Sequence, residues 1–259
     1  MKLAGDAVRE VYLRGTYEKT LKKDHSFLTE ADRASNNILC EGLSKIAPGI
    51  PILSEESEDV PYEVRKEWEY YFLIDPVDGT REFVAGIPEF AVNVALIHNG
   101  KPVLGLVHSP LSMITYAASR GRGAYKIEEK CQRLPLSNGE FGRVRVLLSQ
   151  TDHSPGLSAL ISGIPNADVS RLGSSLKFCA VAEGIADFYP RLKPSMEWDT
   201  AAGAILVEES GGLICEPSGA VIDYNRPNML NPPFYALGKF LFEKMPDWKA
   251  LLIKKGEKF

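Results

Sequence analysis

The chain reads as an α/β protein in two parts. In the first half, apolar runs of strand length follow one another with hairpin signals between them, which describes helices packed on a largely antiparallel sheet. In the second half, strand-like and helix-like segments alternate, the pattern of an α/β layer. A third observation locates the chemistry: the stretch Leu73 to Phe83, LIDPVDGTREF, sets two carboxylates at the end of a buried apolar run.

Taken in order, Leu3 to Arg14 carries Ala4, Ala7, Val8, Val11 and Tyr12 on one side at helical spacing, which predicts a first helix. A polar, lysine-rich segment follows, Lys19 to Ser26. Thr29-Glu30-Ala31-Asp32 has the form of a capping box and opens a second helix with Ile38, Leu39, Leu43 and Ile46 inward, closed before Pro48-Gly49. Pro51-Ile52-Leu53 reads as a short strand that delivers Ser54-Glu55-Glu56-Ser57. Tyr70 to Ile74 is continuously apolar and aromatic, hence a strand buried on both faces. It is expected to stop at Asp75, since Pro76 has no N–H for the ladder.

Glu89 to His98 reads as a long strand, Asn99-Gly100 as a tight hairpin turn, and Pro102 to His108 as the return strand. Met113 to Ala118 is a further strand, and Arg120 to Gly123 a turn before Ala124-Tyr125. Lys126 to Gly142 is polar and without a long element, so a boundary falls there: residues 1–126 form a first subdomain with most of the acids, and 127–259 a second that adds Asp199 and a substrate pocket. In the second part, strands are expected over Val144 to Ser149, Val169 to Leu172 and Ala186 to Tyr189, and helices over Pro155 to Ser162 and from the Gly173-Ser174-Ser175 cap to Glu183. After the loop Pro190 to Glu197, Trp198-Asp199 opens a helix, Thr200 to Ser210, closed by Gly211-Gly212. Leu213 to Glu216 and Ala220 to Asp223 read as closing strands.

Composition narrows the function classes. A length of 259 residues suffices for one large domain or two intimate subdomains. A net charge of −4 offers no broad basic surface for a nucleic acid polymer. No apolar run is long enough to span a bilayer, and MKLAGDAVREVY lacks the apolar core of a signal peptide. Cys40, Cys131, Cys179 and Cys215 form no CxxC or Cys/His metal spacing, so reduced thiols in a cytoplasmic protein are expected. The four histidines show no zinc-hydrolase pattern.

Asp75 and Asp78 stand three residues apart at the mouth of a buried strand, where unpaired negative charges are costly. A cation is the remedy, and all-oxygen ligands favour a hard one such as magnesium. Gly79 and Thr80 open a helical turn whose free N–H groups suit a phosphate. Each residue also has an ordinary use: Asp-Pro and Asp-Gly form turns, and Asp32 is accounted for by helix capping alone. The combination of a buried strand, paired aspartates, Gly-Thr and further acids after a second strand favours a site.

Three separated stretches, LSEES at Leu53 to Ser57, DPVDGT at Asp75 to Thr80 and WDTAAG at Trp198 to Gly203, resemble the magnesium-dependent, lithium-sensitive phosphatases. That superfamily holds inositol monophosphatase, fructose-1,6-bisphosphatase and the 3'(2'),5'-bisphosphate nucleotidases. DGTREF with FAVNVAL at Phe90 to Leu96, GSSLKFCAVAEG at Gly173 to Gly184, YPR at Tyr189 to Arg191 and LNPPF at Leu230 to Phe234 look like its bacterial nucleotidase branch of the CysQ type. The resemblance implies a layered α/β/α/β/α sandwich. It implies Glu55, Asp75, Asp78 and Asp199 as side-chain ligands of Mg2+, with the Val77 carbonyl beside them. By the same resemblance Gly79 and Thr80 contact phosphate, while Asp32 acts with the Thr80 hydroxyl on the attacking water and Glu56 is a second acid nearby. Ser174, Ser175 and Lys177 match the nucleotide side of the pocket, where Lys177 or Arg191 meets a second phosphate.

The expected reaction is therefore hydrolysis of a small phosphate ester of sulfur metabolism, the 3'-phosphate of adenosine 3',5'-bisphosphate, with 3'-phosphoadenylyl sulfate as a second substrate. Inositol or sugar phosphates are the alternative substrates, and an inactive metal and phosphate binder the alternative class. A monomer or a homodimer is compatible with the resemblance. Two departures stand out: the first helix begins late, so its opening turns are absent or the true start lies upstream, and Phe27 replaces a frequent proline.

Overall fold

A computed structural model describes residues 1–22, 27–58, 60–137, 139 and 142–244. Residues 23–26 of the expected polar segment, and 138, 140 and 141 of the second polar stretch, lie outside the described residues.

Helix α1 (Lys2–Arg14) leads to a two-stranded hairpin, β1 (Lys19–Leu21) and β2 (Phe27–Thr29), which sequence periodicity did not reveal because each strand has only three residues. Helix α2 (Glu30–Ile46) starts on the Thr29 capping box as expected. Its buried face is Ala31, Asp32, Ser35 and Leu39, and Ile46, expected inward, is 80% exposed. Small residues line the contact instead, since α2 packs closely beside α1.

The first sheet has seven strands in chain order: β3 (Ile52–Ser54), β4 (Tyr70–Asp78), β5 (Ala91–His98), β6 (Lys101–Ser109), β7 (Ile114–Ser119), β8 (Gly123–Ile127) and β9 (Cys131–Arg133). Only β3 and β4 run parallel, across the short helix α3 (Tyr62–Arg65); the others are antiparallel. Strand β4 does not stop at Asp75. It continues to Asp78 through a register shift between Asp75 and Asp78, so Pro76 sits where the ladder to β5 is interrupted and needs no N–H. Helix α4 (Thr80–Val84) follows at once.

The second sheet contains β10 (Val144–Leu148), β11 (Ala167–Arg171), β12 (Phe188–Arg191), β13 (Leu213–Cys215) and β14 (Phe234–Leu237), in the order β11-β10-β12-β14-β13. Strand β10 lies parallel to β11 and β12, while β14 runs antiparallel to β12 and β13. Helices α5 (Pro155–Ser162), α6 (Leu176–Glu183), α7 (Glu197–Glu209) and α8 (Lys239–Lys244) complete the chain. The expected strand Ala220 to Asp223 is absent: Val221 is 58% exposed, and Tyr224 donates its N–H to the Gly100 carbonyl at 2.9 Å instead of joining a ladder. Its Ile222, and Tyr224 just beyond it, are drawn into the core between the sheets.

The strand alternation assigns the layers. Phe72 and Ile74 of β4 face α1 and α2, while Tyr71 and Leu73 face α7. In the second sheet Tyr189, Phe234 and Ala236 point to the same central layer, and Phe188, Tyr235 and Leu237 point to α5 and α8 on the far side. The order is thus helices, sheet, helices, sheet, helices, the α/β/α/β/α sandwich. Helix α7 is buried from Thr200 to Val207, which explains its lack of an amphipathic stripe. It lies against β6 at Gly105, where any Cβ would come within 2.4 Å of Ile205 and 2.6 Å of the Ala202 carbonyl. That close approach fixes the depth of α7, and with it Asp199.

Candidate active site

The site forms where the ends of β3 and β4 meet the start of α7. Parallel pairing of Ser54 with Ile74 brings Glu55 beside Asp75, and the Glu55 N–H donates to the Ile74 carbonyl at 3.1 Å. Beyond the register shift, the Val77 N–H donates to Asp75 Oδ1 at 3.1 Å, and Ser35 of α2 ties down the Pro76 carbonyl at 2.8 Å. The Val77 carbonyl accepts from the Thr80 hydroxyl at 3.1 Å. Gly79 has φ +94°, and a Cβ there would sit 2.9 Å from the Glu89 carbonyl and 3.2 Å from Ser174 Cβ. Only glycine lets the β4–α4 turn approach the turn before α6 so closely.

On the other side, Asp199 is the third residue of α7 and caps it, accepting from the Met196 N–H at 2.8 Å. Met196 is itself held by Asn231, whose side-chain amide donates to the Met196 carbonyl at 2.6 Å. The result is that carboxylate oxygens of Asp75, Asp78 and Asp199 lie within 4.8 Å of one another. Among the described residues none of these three has a Lys or Arg salt-bridge partner, and Asp75 is 1% exposed. Burial first, then the neighbouring carboxylates, holds Asp75 and Asp199 well above the usual carboxylate range. Burial likewise raises Glu55 to about 7, against the pull of Lys22, and Asp32 to about 6, against hydrogen bonds from Thr29. Asp75, Asp78 and Asp199, crowded, all-oxygen and without a salt-bridge partner among the described residues, fit a hard divalent metal.

A cavity of about 500 Å³ opens onto these acids. Glu55, Asp75, Val77, Asp78, Gly79, Thr80 and Asp199 line it, and so do Ser174, Ser175, Lys177 and Arg191. Asp32 lies behind this wall: its Oδ2 accepts from the Thr29 N–H at 2.7 Å and the Thr29 hydroxyl at 2.6 Å, while the Thr80 hydroxyl is engaged by Val77. Its charge is nonetheless felt at Asp75 and Glu55. Ser174 and Ser175 do more than cap α6. The Ser175 N–H donates to Asp78 Oδ2 and its hydroxyl to Asn93 Oδ1 at 2.7 Å, while the Ser174 hydroxyl accepts from the Leu176 N–H at 3.3 Å.

Lys177, in the first turn of α6, is buried. Its ammonium is buried over the Tyr189 ring at 5.2 Å, donates to the Leu172 and Ser174 carbonyls, and is brought down to about 8 by burial. Arg191 donates to the Ser149 hydroxyl at 2.8 Å and, more weakly, to the Lys193 and Pro194 carbonyls. Sequence reasoning missed Lys22, which pairs with Glu55 and Glu56, and the wall formed by Ser149, Gln150 and Thr151. That wall follows β10, a strand parallel to its neighbours, and the end of such a strand was the available signal.

The inositol monophosphatase family model matches residues 1–257. The 3'(2'),5'-bisphosphate nucleotidase CysQ of Salmonella typhimurium is 40% identical over 233 residues, covering 89% of this chain and 94% of that one. The protein of the same name from Haemophilus influenzae is 33% identical, covering 96% and 92%. Among solved structures, CysQ from Bacteroides thetaiotaomicron superposes with a TM-score of 0.80 at 32% identity, covering 92% of this chain and 93% of that one. Extragenic suppressor protein suhB from Bartonella henselae gives 0.79 at 29% identity, covering 99% and 96%. With acids from three separate elements meeting in one cavity and the whole length matched, the chain belongs to the inositol monophosphatase family of metal-dependent phosphatases.

Proposed function

We propose that the chain hydrolyses the 3'-phosphate of adenosine 3',5'-bisphosphate, with 3'-phosphoadenylyl sulfate as a second substrate. The observation that carries the reading is one cavity lined both by a carboxylate cluster and by the cations Lys177 and Arg191. A substrate with two anionic groups uses both features, whereas an inositol monophosphate leaves the buried ammonium of Lys177 unmatched. The CysQ relatives carry the matching name.

Glu55, Asp75, Asp78, Asp199 and the Val77 carbonyl are the groups that would hold magnesium, which supplies neutralising charge, Lewis acidity and an acidified water when bound. The protein's own residues do the rest. The N–H groups at Gly79 and Thr80 receive phosphoryl oxygens at the turn into α4. Asp32, poised near 6 by burial, accepts the proton of the attacking water, with the Thr80 hydroxyl orienting it. Glu56 stands beside Glu55 as a further acid. Ser174, Ser175, Lys177 and Arg191 bind the nucleotide and its second phosphate. Attack is direct, and no phosphoenzyme forms.

No helix among the described residues is long and apolar enough to cross a membrane, and the four cysteines form no disulfide; a cytoplasmic monomer or homodimer belongs to the same proposal. Phosphate release is to be measured on adenosine 3',5'-bisphosphate, 3'-phosphoadenylyl sulfate, inositol 1-phosphate and sugar phosphates, with and without Mg2+ and Li+. Magnesium-dependent, lithium-inhibited release from the bisphosphate is expected; a preference for inositol 1-phosphate overturns the substrate, and metal binding without any release overturns the activity.

A further inference from the structure

Lys22 sets its ammonium between two acids of the site, 2.8 Å from Glu55 Oε1 and 2.5 Å from Glu56 Oε1. The two carboxylates are only 19% and 10% exposed, so this is no rim pair diluted by water. Asp75 beside Glu55 has no such partner among the described residues. Lys22 follows directly on β1, whose three residues are all exposed, so its backbone is not anchored in a core. Strand β1 pairs with β2, which ends at Thr29, the residue that holds Asp32.

We propose that Lys22 is an intramolecular rival of the divalent cation at Glu55: its ammonium occupies Glu55 and Glu56 until a metal ion displaces it, and so sets the affinity of that part of the site. The inference rests on the reading of the acids as a metal site. An ammonium and a divalent ion sharing one carboxylate repel across a few ångströms of poorly solvated space. A divalent ion would prevail through its double charge and through Asp75, with which Lys22 forms no ion pair among the described residues. Without metal, Lys22 compensates two partly buried carboxylates. With metal, it is released.

The test uses the full chain stripped of metal. Mg2+ and Mn2+ binding is measured by isothermal titration calorimetry, and melting temperature with and without metal, for wild type, Lys22→Met and Lys22→Arg. Lys22→Met keeps the aliphatic stem and removes the charge. It is expected to bind divalent ions at least about fivefold more tightly than wild type, to melt lower without metal, and to gain more in melting temperature on loading. Lys22→Arg is expected to follow wild type. Unchanged or weaker metal binding in Lys22→Met overturns the proposal, whereas absence of saturable binding in wild type overturns the metal reading together with it.

Discussion

The backbone N–H of Ser175 donates to a carboxylate oxygen of Asp78, joining the end of β4 in the first sheet to the turn that follows β11 in the second. The two residues are 97 positions apart, so this contact forms only when the sandwich is assembled. It ties Asp78 to the second sheet while the carboxylate stays within reach of Asp75 and Asp199.

Asp78→Asn tests the charge without the contact, because an asparagine oxygen still accepts from Ser175. The fold is expected to persist, with unchanged circular dichroism. Metal affinity and phosphatase activity are expected to fall by more than about a hundredfold, since even partners of metal ligands cost ten- to a hundredfold. Calorimetric metal titration and phosphate release check both, and unchanged magnesium dependence would refute the role.

Gly79→Ala addresses the turn itself. With φ at +94° and the Glu89 carbonyl 2.9 Å from the new Cβ, the variant is strained both in its backbone and against Glu89, Phe90 and Ser174 of the adjoining loops. A loss of about 1–3 kcal/mol in urea denaturation is expected. Activity falls with it, because the displaced turn carries Thr80.

The acids make the metal-free protein sensitive to pH. Asp32 near 6, Glu55 near 7, and Asp75 and Asp199, raised by burial and by neighbouring carboxylates, all exceed the ordinary carboxylate values of the unfolded chain. The folded state therefore binds more protons between about pH 4 and 7, and stability falls as pH rises through that window. Metal-free protein is expected to melt at a higher temperature at pH 5.5 than at pH 7.5. Divalent metal should flatten or reverse that slope, as thermal scans at both pH values will show.

Lys177→Met removes a buried ammonium whose partners are carbonyls and an aromatic face. Folding stability is expected to hold or rise, because a buried charge without a carboxylate partner is replaced by an apolar chain of similar length. KM for the bisphosphate should rise about ten- to a hundredfold, the worth of a charge-assisted hydrogen bond. KM for a monophosphate should scarcely move, and equal effects on both would place Lys177 outside substrate recognition.

Local patterns sufficed for much of this protein. The buried run from Tyr71 to Ile74, the Asn99-Gly100 hairpin, the Thr29 capping box and helix α5 all stand where the sequence places them, with only Tyr70 of the expected run exposed, because each is decided by neighbours within a few residues. Glu55 directly after β3, and Asp75 and Asp78 in the last residues of β4, were legible for the same reason. Tertiary structure alone decided the rest. Pro76 lies inside a strand because a register shift spares its missing N–H; Ala220 to Asp223 is no strand because its Ile222 serves the core between the sheets; Lys177 is buried because α6 lies in the central layer. Asp199 meets Asp75 and Asp78 only because β6 accommodates α7 at Gly105, a depth set by packing across the sandwich that no local pattern encodes.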